Sequence, residues 1–349
     1  MKIVFLYSEL MPNLLIVIRA LVENHSAQVH IVYWDHRRRT PYEPEPMKGV
    51  TYHRRSQHGL RDLRRLLGSI GPDAIYIVGW MDRAYLAAVV SYRRKRVPVV
   101  VGFDDWWRGT ARQRAGRAFS PLLTKVFFSH AWVAGPRQYE YAKRLGFADR
   151  CIVPNLLSCD TALFEGAYSS LGDKRAAYPG VFLYVGRFSP EKGIDLLAEA
   201  FEKYRTTFHG TWKLVCVGNG PLSNVLAGKP NIDVRPFGSQ ADVVKAMQEA
   251  GVFVAASLRD FSPLVVHEAA CAGLPMILSS NVGNIPLFMI HRHNGVVFES
   301  GSVDGLAAAM HELSNTPVER LVAMGRRSHR LSRRIDPEAC AASLVSCMG

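Results

Sequence analysis

Short, continuous apolar runs alternate along this sequence with longer stretches of helical spacing. The runs are KIVFLY, VHIVYW, AIYIVGW, VPVVVGF and HAWVAG in the first half, and VFLYVG, WKLVCVG, DVRPFG, VFVAAS and PMILSS in the second. Strands that are apolar throughout are typical of a parallel sheet covered by helices on both faces. The alternation therefore predicts an α/β protein built from doubly wound parallel sheets.

The length of the chain and a break in its pattern indicate two such domains. The 349 residues are too many for one ordinary domain, and the β–α rhythm restarts at Val181 after the polar stretch EGAYSSLGDKRAAYPG. We expect a domain over 1–165, a linker over 166–180, a second domain over 181–330, and a C-terminal helix over 331–349 that returns to the first domain. Ligands bind beyond the carboxyl ends of strands in such sheets, so we expect the domains to face a central cleft.

The positive charge of the protein lies entirely in its first half. The chain has a net charge of +13; residues 1–150 hold 25 Lys and Arg against 12 Asp and Glu, whereas residues 151–349 hold 18 of each. A basic surface can simply keep a protein soluble. It can also attract anionic lipid, at about 1 kcal/mol per basic side chain near the membrane. Nucleic acid is not an expected partner, because the sequence contains no helix-turn-helix, zinc-finger or RNP-type motif.

The cysteines and the apolar runs bear on the compartment. None of the six cysteines belongs to a CxxC pair, and Cys216 and Cys271 lie inside apolar runs, where cysteine is usually a small buried residue. No apolar run approaches the ~18 residues of a membrane span, and the first strand is too short for a signal peptide. We expect reduced, structural cysteines in a cytoplasmic protein whose basic half would meet the inner face of the membrane.

The strongest local motif is YVGRFSPEKG, which begins as a strand, turns at Gly186 and leads into a helix. Arg187 and Lys192 flank that turn. Two cations beside free backbone N–H groups suit a diphosphate, and each charged hydrogen bond contributes about 1.5–3 kcal/mol. An Arg and a Lys after a strand can equally be ordinary surface charges, so the motif alone leaves both interpretations open.

Two further motifs follow strands of the second half. In CVGNGPL, Gly218 and Gly220 flank Asn219 and permit a tight turn with a close backbone approach. In VFVAASLRDFSPLVVHEAACAGLPMILSS, Asp260 precedes Glu268 by eight residues, and Glu268 lies in a helix of small side chains. A carboxylate in so apolar a helix needs a hydrogen-bond donor, which a ribose hydroxyl or another protein group could supply.

Together these three segments, in this order and spacing, resemble family 4 of the retaining glycosyltransferases, which have the GT-B fold. The resemblance covers the C-terminal half and implies that Arg187 and Lys192 bind the diphosphate of a nucleotide-sugar donor, that Asp260 contacts the transferred sugar, and that Glu268 contacts the ribose. The other donor-binding residues that it implies are Gly186, Gly218, Asn219, Gly220, Ser262, Pro263, Leu264 and Val265. It implies neither a cofactor nor a metal ion.

The sequence departs from the family pattern at several of these positions. Asp260 stands where the family has Glu, and the family's EGFGL loop is DFSPL here, so that Pro263 offers no backbone N–H. The donor can therefore differ from that of better-known members.

The first half resembles the family more loosely. In PVVVGFDDWW, Asp104 stands where members often have the His that faces the acceptor. An Asp could orient or deprotonate an acceptor hydroxyl, although it is a weaker base than His at neutral pH. Asp104 could instead cap a helix or pair with a neighbouring arginine. The pair Asp104–Asp105 could also be mistaken for a metal-binding DxD motif.

These observations predict a metal-independent hexosyltransferase that moves a sugar from a nucleotide-diphosphate donor to an acceptor hydroxyl with retention. The basic half favours a sugar acceptor that is anionic or lipid-linked, as in cell-surface polysaccharide synthesis. Two alternatives stay open: a sugar-nucleotide epimerase or phosphorylase on the same fold, and a binding protein for nucleotide sugars that has lost catalysis.

Overall fold

A computed structural model describes residues 1–35, 44–169 and 177–349, and the chain divides into two compact units. The first unit comprises residues 1–158 and 335–349, and the second comprises residues 159–334. Each unit is built around one parallel sheet covered by helices. The predicted α/β class, with two doubly wound sheets, is therefore confirmed.

The sheet of the first unit has seven strands in the order β3-β2-β1-β4-β5-β6-β7, all parallel. Its strands are β1 (Lys2–Leu6), β2 (Gln28–Tyr33), β3 (Val50–Arg54), β4 (Ala74–Val78), β5 (Val99–Phe103), β6 (His130–Val133) and β7 (Ile152–Val153). Its helices up to this point are α1 (Pro12–His25), α2 (Leu60–Ile70), α3 (Arg83–Arg94), α4 (Ala111–Phe127) and α5 (Pro136–Arg144). Central strand β5 is buried from end to end, and β4 is buried up to its last residue, as their uninterrupted apolar sequences predict.

The sheet of the second unit has six parallel strands in the order β10-β9-β8-β11-β12-β13. Its strands are β8 (Val181–Val185), β9 (Lys213–Val217), β10 (Ile232–Arg235), β11 (Val252–Ala255), β12 (Met276–Ser279) and β13 (Gly295–Phe298). Its helices are α6 (Thr161–Ser169), α7 (Ile194–Thr206), α8 (Ser223–Leu226), α9 (Gln240–Glu249), α10 (Leu264–Cys271), α11 (Ile285–Phe288), α12 (Val303–Ser314) and α13 (Val318–Ser332). The reversal of strand order between β8 and β11 creates the crevice position where such sheets bind ligands.

The last helix, α14 (Pro337–Val345), belongs to the first unit and packs against α1. Asp336 caps it by accepting a hydrogen bond from the backbone N–H of Ala339 at 2.7 Å. Glu338 then accepts hydrogen bonds from Asn24 and from His25 Nε2, the latter at 2.8 Å. The chain therefore leaves the first unit once and re-enters it at its end.

The boundaries between the units differ from the predicted ones. The first stretch of the first unit ends at Ser158 rather than at 165, and residues 161–169, which overlap the predicted linker, form α6 of the second unit. The reason is burial, since Phe164 and Ala167 hold α6 against α9 and α10. Residues 170–176 of the predicted linker lie outside the described residues. The second unit ends at Arg334, and the predicted terminal helix over 331–349 is divided between the end of α13 and α14.

One glycine of the second unit is required by two independent constraints. Gly193 has φ of +68°, a left-handed conformation that costs other residues about 1–2 kcal/mol. A Cβ atom added there would also lie 2.3 Å from the backbone oxygen of Ala256. This close approach places the loop after β8 directly against the loop after β11.

The substitution Gly193→Ala is expected to lower the free energy of unfolding by about 3 kcal/mol or more, because left-handed strain and the clash with Ala256 add together. Gly228→Ala is the matched control: Gly228 has φ of +71° but no neighbouring atom within 4 Å of the added Cβ. The control should lose only about 1–2 kcal/mol. Equal losses in chemical denaturation would contradict the role of the close approach.

Candidate functional site

The residues singled out in the second unit gather at one edge of its sheet. Strands β9, β8 and β11 are neighbours and parallel, so the loops that follow them emerge at the same edge. Those loops contain Gly186 to Lys192, Gly218 to Gly220, and Asp260 to Pro263, and α10 follows the last of them. The structure thus brings together the three motifs of the second half.

The two glycine-containing loops are packed backbone to backbone. The N–H of Gly186 donates to Val217 O at 3.0 Å, and the N–H of Phe188 donates to Asn219 O at 2.9 Å. A Cβ atom at Gly218 would lie 1.9 Å from the oxygen of Gly186. A Cβ atom at Gly220 would lie 2.2 Å from the oxygen of Phe188. These glycines therefore have a packing role that is independent of any ligand, and Asn219 between them is exposed.

The ion pair between Lys192 and Asp260 joins the first motif to the third. The Lys192 ammonium donates to the Asp260 carboxylate, and their side chains are only 25% and 13% exposed. Ser257 Oγ donates to the same carboxylate at 3.4 Å. The backbone of Asp260 is held as well, because its oxygen accepts from the N–H of Gly283 at 2.9 Å. Asp260 is thus fixed from three sides, at the end of the loop after β11.

Arg187 presents its charge outward at this edge. Its backbone oxygen accepts a hydrogen bond from Tyr184 Oη at 2.9 Å, which fixes the start of the loop, while its side chain is exposed. Within the described ranges, its guanidinium has no hydrogen-bonded or ion-paired partner. The pKa of the neighbouring Glu191 is lowered, first by a hydrogen bond from Ser189 and then by the positive charges of Lys192 and Arg187. Lys192 and Arg187 therefore make the electrostatic potential at the loop after β8 positive.

Glu268 is the second carboxylate of the site and has a different environment. It lies in α10 between the buried residues His267 and Ala269. Burial, and to a smaller extent the nearby Cys271, raise the pKa of Glu268 to about 7. In the part of the chain that the structure describes, no donor bonds to its carboxylate, and the residue is partly exposed. A carboxylate in this setting gains from any hydroxyl or N–H donor that reaches it.

The loop that enters α10 contains the remaining predicted residues. Pro263 occupies the position before the helix, is buried, and accepts a hydrogen bond from Asn284 Nδ2 at 2.8 Å through its backbone oxygen. Ser262, Leu264 and Val265 are each partly exposed at the same end of the helix. The proline that departs from the family pattern is therefore accommodated as an anchor of the loop.

Asp104 lies in the first unit, immediately after β5, with an exposed side chain. Its backbone oxygen accepts from Gln138 Nε2 at 2.6 Å. Burial raises the pKa of Tyr7 and Tyr76, and the negative charge of Asp104 raises both further, so its carboxylate lies close to these phenols. The cap of the following helix is Thr110, and the neighbouring Asp105 has an oxygen 3.7 Å from Arg108 Nε. The helix-capping alternative for Asp104 is therefore wrong.

A buried cluster that the sequence did not indicate lies beneath Glu268. Cys159 Sγ and Cys271 Sγ are 3.7 Å apart, and His267 completes a set of potential metal ligands within 4.8 Å of one another. The polar groups already satisfy each other: the Cys159 N–H donates to His267 Nδ1 at 3.4 Å, and His267 Nε2 donates to Ser332 O at 3.2 Å. The hydrogen bond from Cys159 lowers the pKa of Cys271. The cluster ties α10 to residues near both ends of the second unit.

Comparison with known proteins gives a family for this arrangement. Residues 179–316, which contain all the site residues of the second unit, match the family described as Glycosyl transferases group 1. The chain belongs to the group 1 glycosyl transferases. A protein of Bacillus subtilis (strain 168) named as the teichuronic acid biosynthesis glycosyltransferase TuaC is 30% identical over 253 residues, 68% of this chain and 60% of that protein.

A second relative and a solved structure are also similar to this chain. The UDP-Gal:alpha-D-GlcNAc-diphosphoundecaprenol alpha-1,3-galactosyltransferase of Escherichia coli is 30% identical over 45% of this chain and 42% of its own length. The chain therefore spans less than two thirds of either relative. The crystal structure of Anabaena HepE in complex with UDP and glucose has a TM-score of 0.72 at 14% identity and covers 99% of this chain and 98% of its own. The GT-B fold is thus confirmed.

The unusual pKa of Glu268 gives a prediction about stability. The carboxyl group has a pKa near 4.5 in the unfolded state and about 7 in the native state, so the native state keeps a proton that the unfolded state has released. The free energy of unfolding therefore falls as the pH rises from about 4.5 to about 7, and it levels off above that range. Wild type should lose stability relative to Glu268→Gln, by about 2–3 kcal/mol between pH 5 and pH 8. Glu299→Gln, at an exposed position, is the control and should show no such trend. A pH-independent difference between wild type and Glu268→Gln in denaturation curves would contradict this.

Proposed function

We propose that this protein transfers a sugar from a nucleotide-diphosphate sugar to an acceptor hydroxyl with retention of configuration. The proposal rests on one observation: Arg187 and Lys192, on the turn after β8, lie at the same edge of the second sheet as two carboxylates. These carboxylates, Asp260 and Glu268, have contrasting environments. The structure of HepE with UDP and glucose supports a nucleoside-diphosphate donor for this fold. The motif match over residues 179–316 supports the same assignment.

In the proposed mechanism, Arg187 and Lys192 stabilise the diphosphate as it departs with negative charge. An ammonium has three donors, so Lys192 can bond to a phosphate oxygen while it stays paired with Asp260. Because both cations are held on a loop fixed by backbone hydrogen bonds, little reorganisation accompanies the reaction. No metal ion is required for this role, and chelation by EDTA should leave the rate unchanged.

The two carboxylates receive different roles because their surroundings differ. Asp260, which is paired with Lys192, accepts hydrogen bonds from hydroxyls of the transferred sugar. Glu268, which has no protein donor within the described ranges, accepts from the ribose. Around them, Ser262, Pro263, Leu264 and Val265 line the entry to α10, and Gly186, Gly218, Asn219 and Gly220 allow the donor to approach the backbone.

Asp104 is proposed to orient the acceptor hydroxyl from the first unit. The names of the two relatives point to polysaccharide or diphosphoundecaprenol-linked acceptors, and the net charge of +13 in the first half suits an anionic or membrane-held acceptor.

The proposed location is accordingly the cytoplasm, at the inner face of the membrane. Within the part of the chain that the structure describes, no helix is long and apolar enough to cross a bilayer.

The diphosphate assignment predicts a loss of donor affinity in Arg187→Ala. The variant should bind its nucleotide sugar about 10- to 100-fold more weakly, because one charged hydrogen bond contributes about 1.5–3 kcal/mol. A panel of nucleotide sugars in a thermal-shift assay first identifies the donor, since a ligand of the native state raises its apparent stability. Lys213→Ala is the control, because Lys213 begins β9 at the opposite end of the strand. Equal stabilisation of wild type and Arg187→Ala would refute the assignment.

The acceptor role of Asp104 predicts that Asp104→Asn lowers kcat by about 100-fold or more without changing donor affinity. Asp105→Asn is the neighbouring control and should have a smaller effect, since Asp105 pairs with Arg108. The assay is nucleoside-diphosphate release with and without acceptor, and nuclear magnetic resonance of the product reports retention. Turnover without acceptor would favour the epimerase alternative. Donor binding without turnover over a broad acceptor panel would favour the non-catalytic one.

A further inference from the structure

Helix α4 of the first unit has an inverted distribution of polar and apolar side chains. Its buried side chains are Ser120 and Thr124, four residues apart, and Thr124 Oγ1 donates to the Leu145 backbone oxygen at 3.3 Å. A surface helix normally buries its apolar side chains and exposes its polar ones. The hydroxyl-bearing face of α4 is therefore the one that contacts the protein.

The opposite arrangement holds on the exposed side of the helix. Phe119, Leu122, Leu123 and Val126 are 71%, 69%, 50% and 42% exposed. Their spacing of i, i+3, i+4 and i+7 places them on one continuous face, which we call the α4 stripe. Of the twelve large apolar side chains exposed in the described ranges, four are in this stripe. A contiguous exposed apolar patch of this kind marks an interaction surface rather than incidental exposure.

The helix that carries the α4 stripe is also basic. Arg112, Arg114, Arg117 and Lys125 belong to the same helix and are all exposed, and the sequence of the helix contains no acidic residue. An interfacial helix with an apolar face and basic flanks inserts shallowly into an anionic bilayer. A second copy of the chain is a poor occupant, because stripe-to-stripe packing would bring two sets of four cations together. Nucleic acid would match the charge and leave the apolar face in water.

We propose that α4 is the element through which this protein docks on an anionic lipid bilayer, with the α4 stripe in the acyl boundary and the basic residues against the headgroups. This rests on the proposed membrane-held acceptor and names the surface that would meet it. Asp104 and the start of α4 are separated by only six residues of chain. Docking through α4 would therefore bring to the lipid surface a segment that lies only six residues along the chain from Asp104, the proposed acceptor residue.

Co-sedimentation with vesicles tests the proposal on the 349-residue protein without donor or acceptor. Wild type should bind vesicles of phosphatidylcholine mixed with phosphatidylglycerol far better than vesicles of phosphatidylcholine alone. The variant Phe119→Ser/Leu122→Ser/Leu123→Ser should lose at least about tenfold in partitioning. Phe237→Ser, which changes an apolar side chain 55% exposed in the second unit, is the matched control and should bind like wild type.

A second variant and a direct probe separate the two contributions. Arg112→Gln/Arg114→Gln/Arg117→Gln should bind anionic vesicles more weakly at low salt, by about fivefold per charge, and the difference should shrink at high salt. In Phe119→Trp, the new indole fluorescence should be quenched by brominated lipids. Failure of quenching, or equal binding to neutral and anionic vesicles, would overturn the proposal.

Light scattering distinguishes the alternative occupant. A wild-type dimer that the triple serine variant converts to a monomer, with no vesicle binding by either, would assign the α4 stripe to a second copy and overturn the proposal.

The donor-induced thermal shift is measured on the same samples. If the donor-induced thermal shift is intact while vesicle binding is absent, the docking proposal fails and the proposed function stands. If the thermal shift is absent while the protein binds vesicles, the proposed function fails and the docking proposal stands.

Discussion

The site of the second unit depends on how closely two backbone segments approach each other. Gly193 lets the turn over residues 190–192 lie against the carbonyl of Ala256, at a distance that no side chain would permit. This contact sets Lys192 opposite Asp260, which arrives from the loop after β11. The ion pair is therefore a consequence of backbone packing, and the glycine pair after β9 supports the same loop from its other side.

Two carboxylates eight residues apart consequently differ in their chemistry. The Asp260 carboxylate accepts hydrogen bonds from the Lys192 ammonium and from the Ser257 hydroxyl. Glu268 lies in an apolar helix whose surroundings disfavour charge, and its pKa approaches neutrality. A donor that supplies hydrogen bonds to Glu268 would favour its ionised form, so binding and proton release would be linked at this residue.

Much of the fold could be predicted from the sequence because buried parallel strands are apolar throughout. The ten predicted runs all correspond to strands, and the site edge follows from them, since parallel strands end at the same side. Three strands were missed. β3 is the half-exposed sequence VTYHR at a sheet edge, and β7 has only two residues. β13 is the short run GVVF, and the Asn294–Gly295 pair at its start is a turn signal from which it could have been predicted. The predicted linker failed because helix α6 is held by tertiary burial of Phe164 rather than by a local signal.

Other features could not be read from the sequence at all. Cys159 and His267 are 108 residues apart, so no spacing rule could have joined them. The sequence of α4 contains both an apolar and a polar face, but periodicity does not tell which of them the protein covers. The structure shows that the covered face is the one with Ser120 and Thr124, and it thereby identifies the α4 stripe as exposed. The donor site was accessible to sequence reasoning because its motifs are local, whereas these features depend on contacts made elsewhere.

The discontinuous first unit also determines the order in which the protein can mature. Helix α14 supplies buried Cys340, Ala341 and Leu344 and packs on α1, yet it is synthesised after the whole of the second unit. Until α14 has been synthesised, the surface of α1 that it will cover has no covering helix. The second unit, which is continuous, can complete its core first, so the half of the protein made first is the half that is finished last.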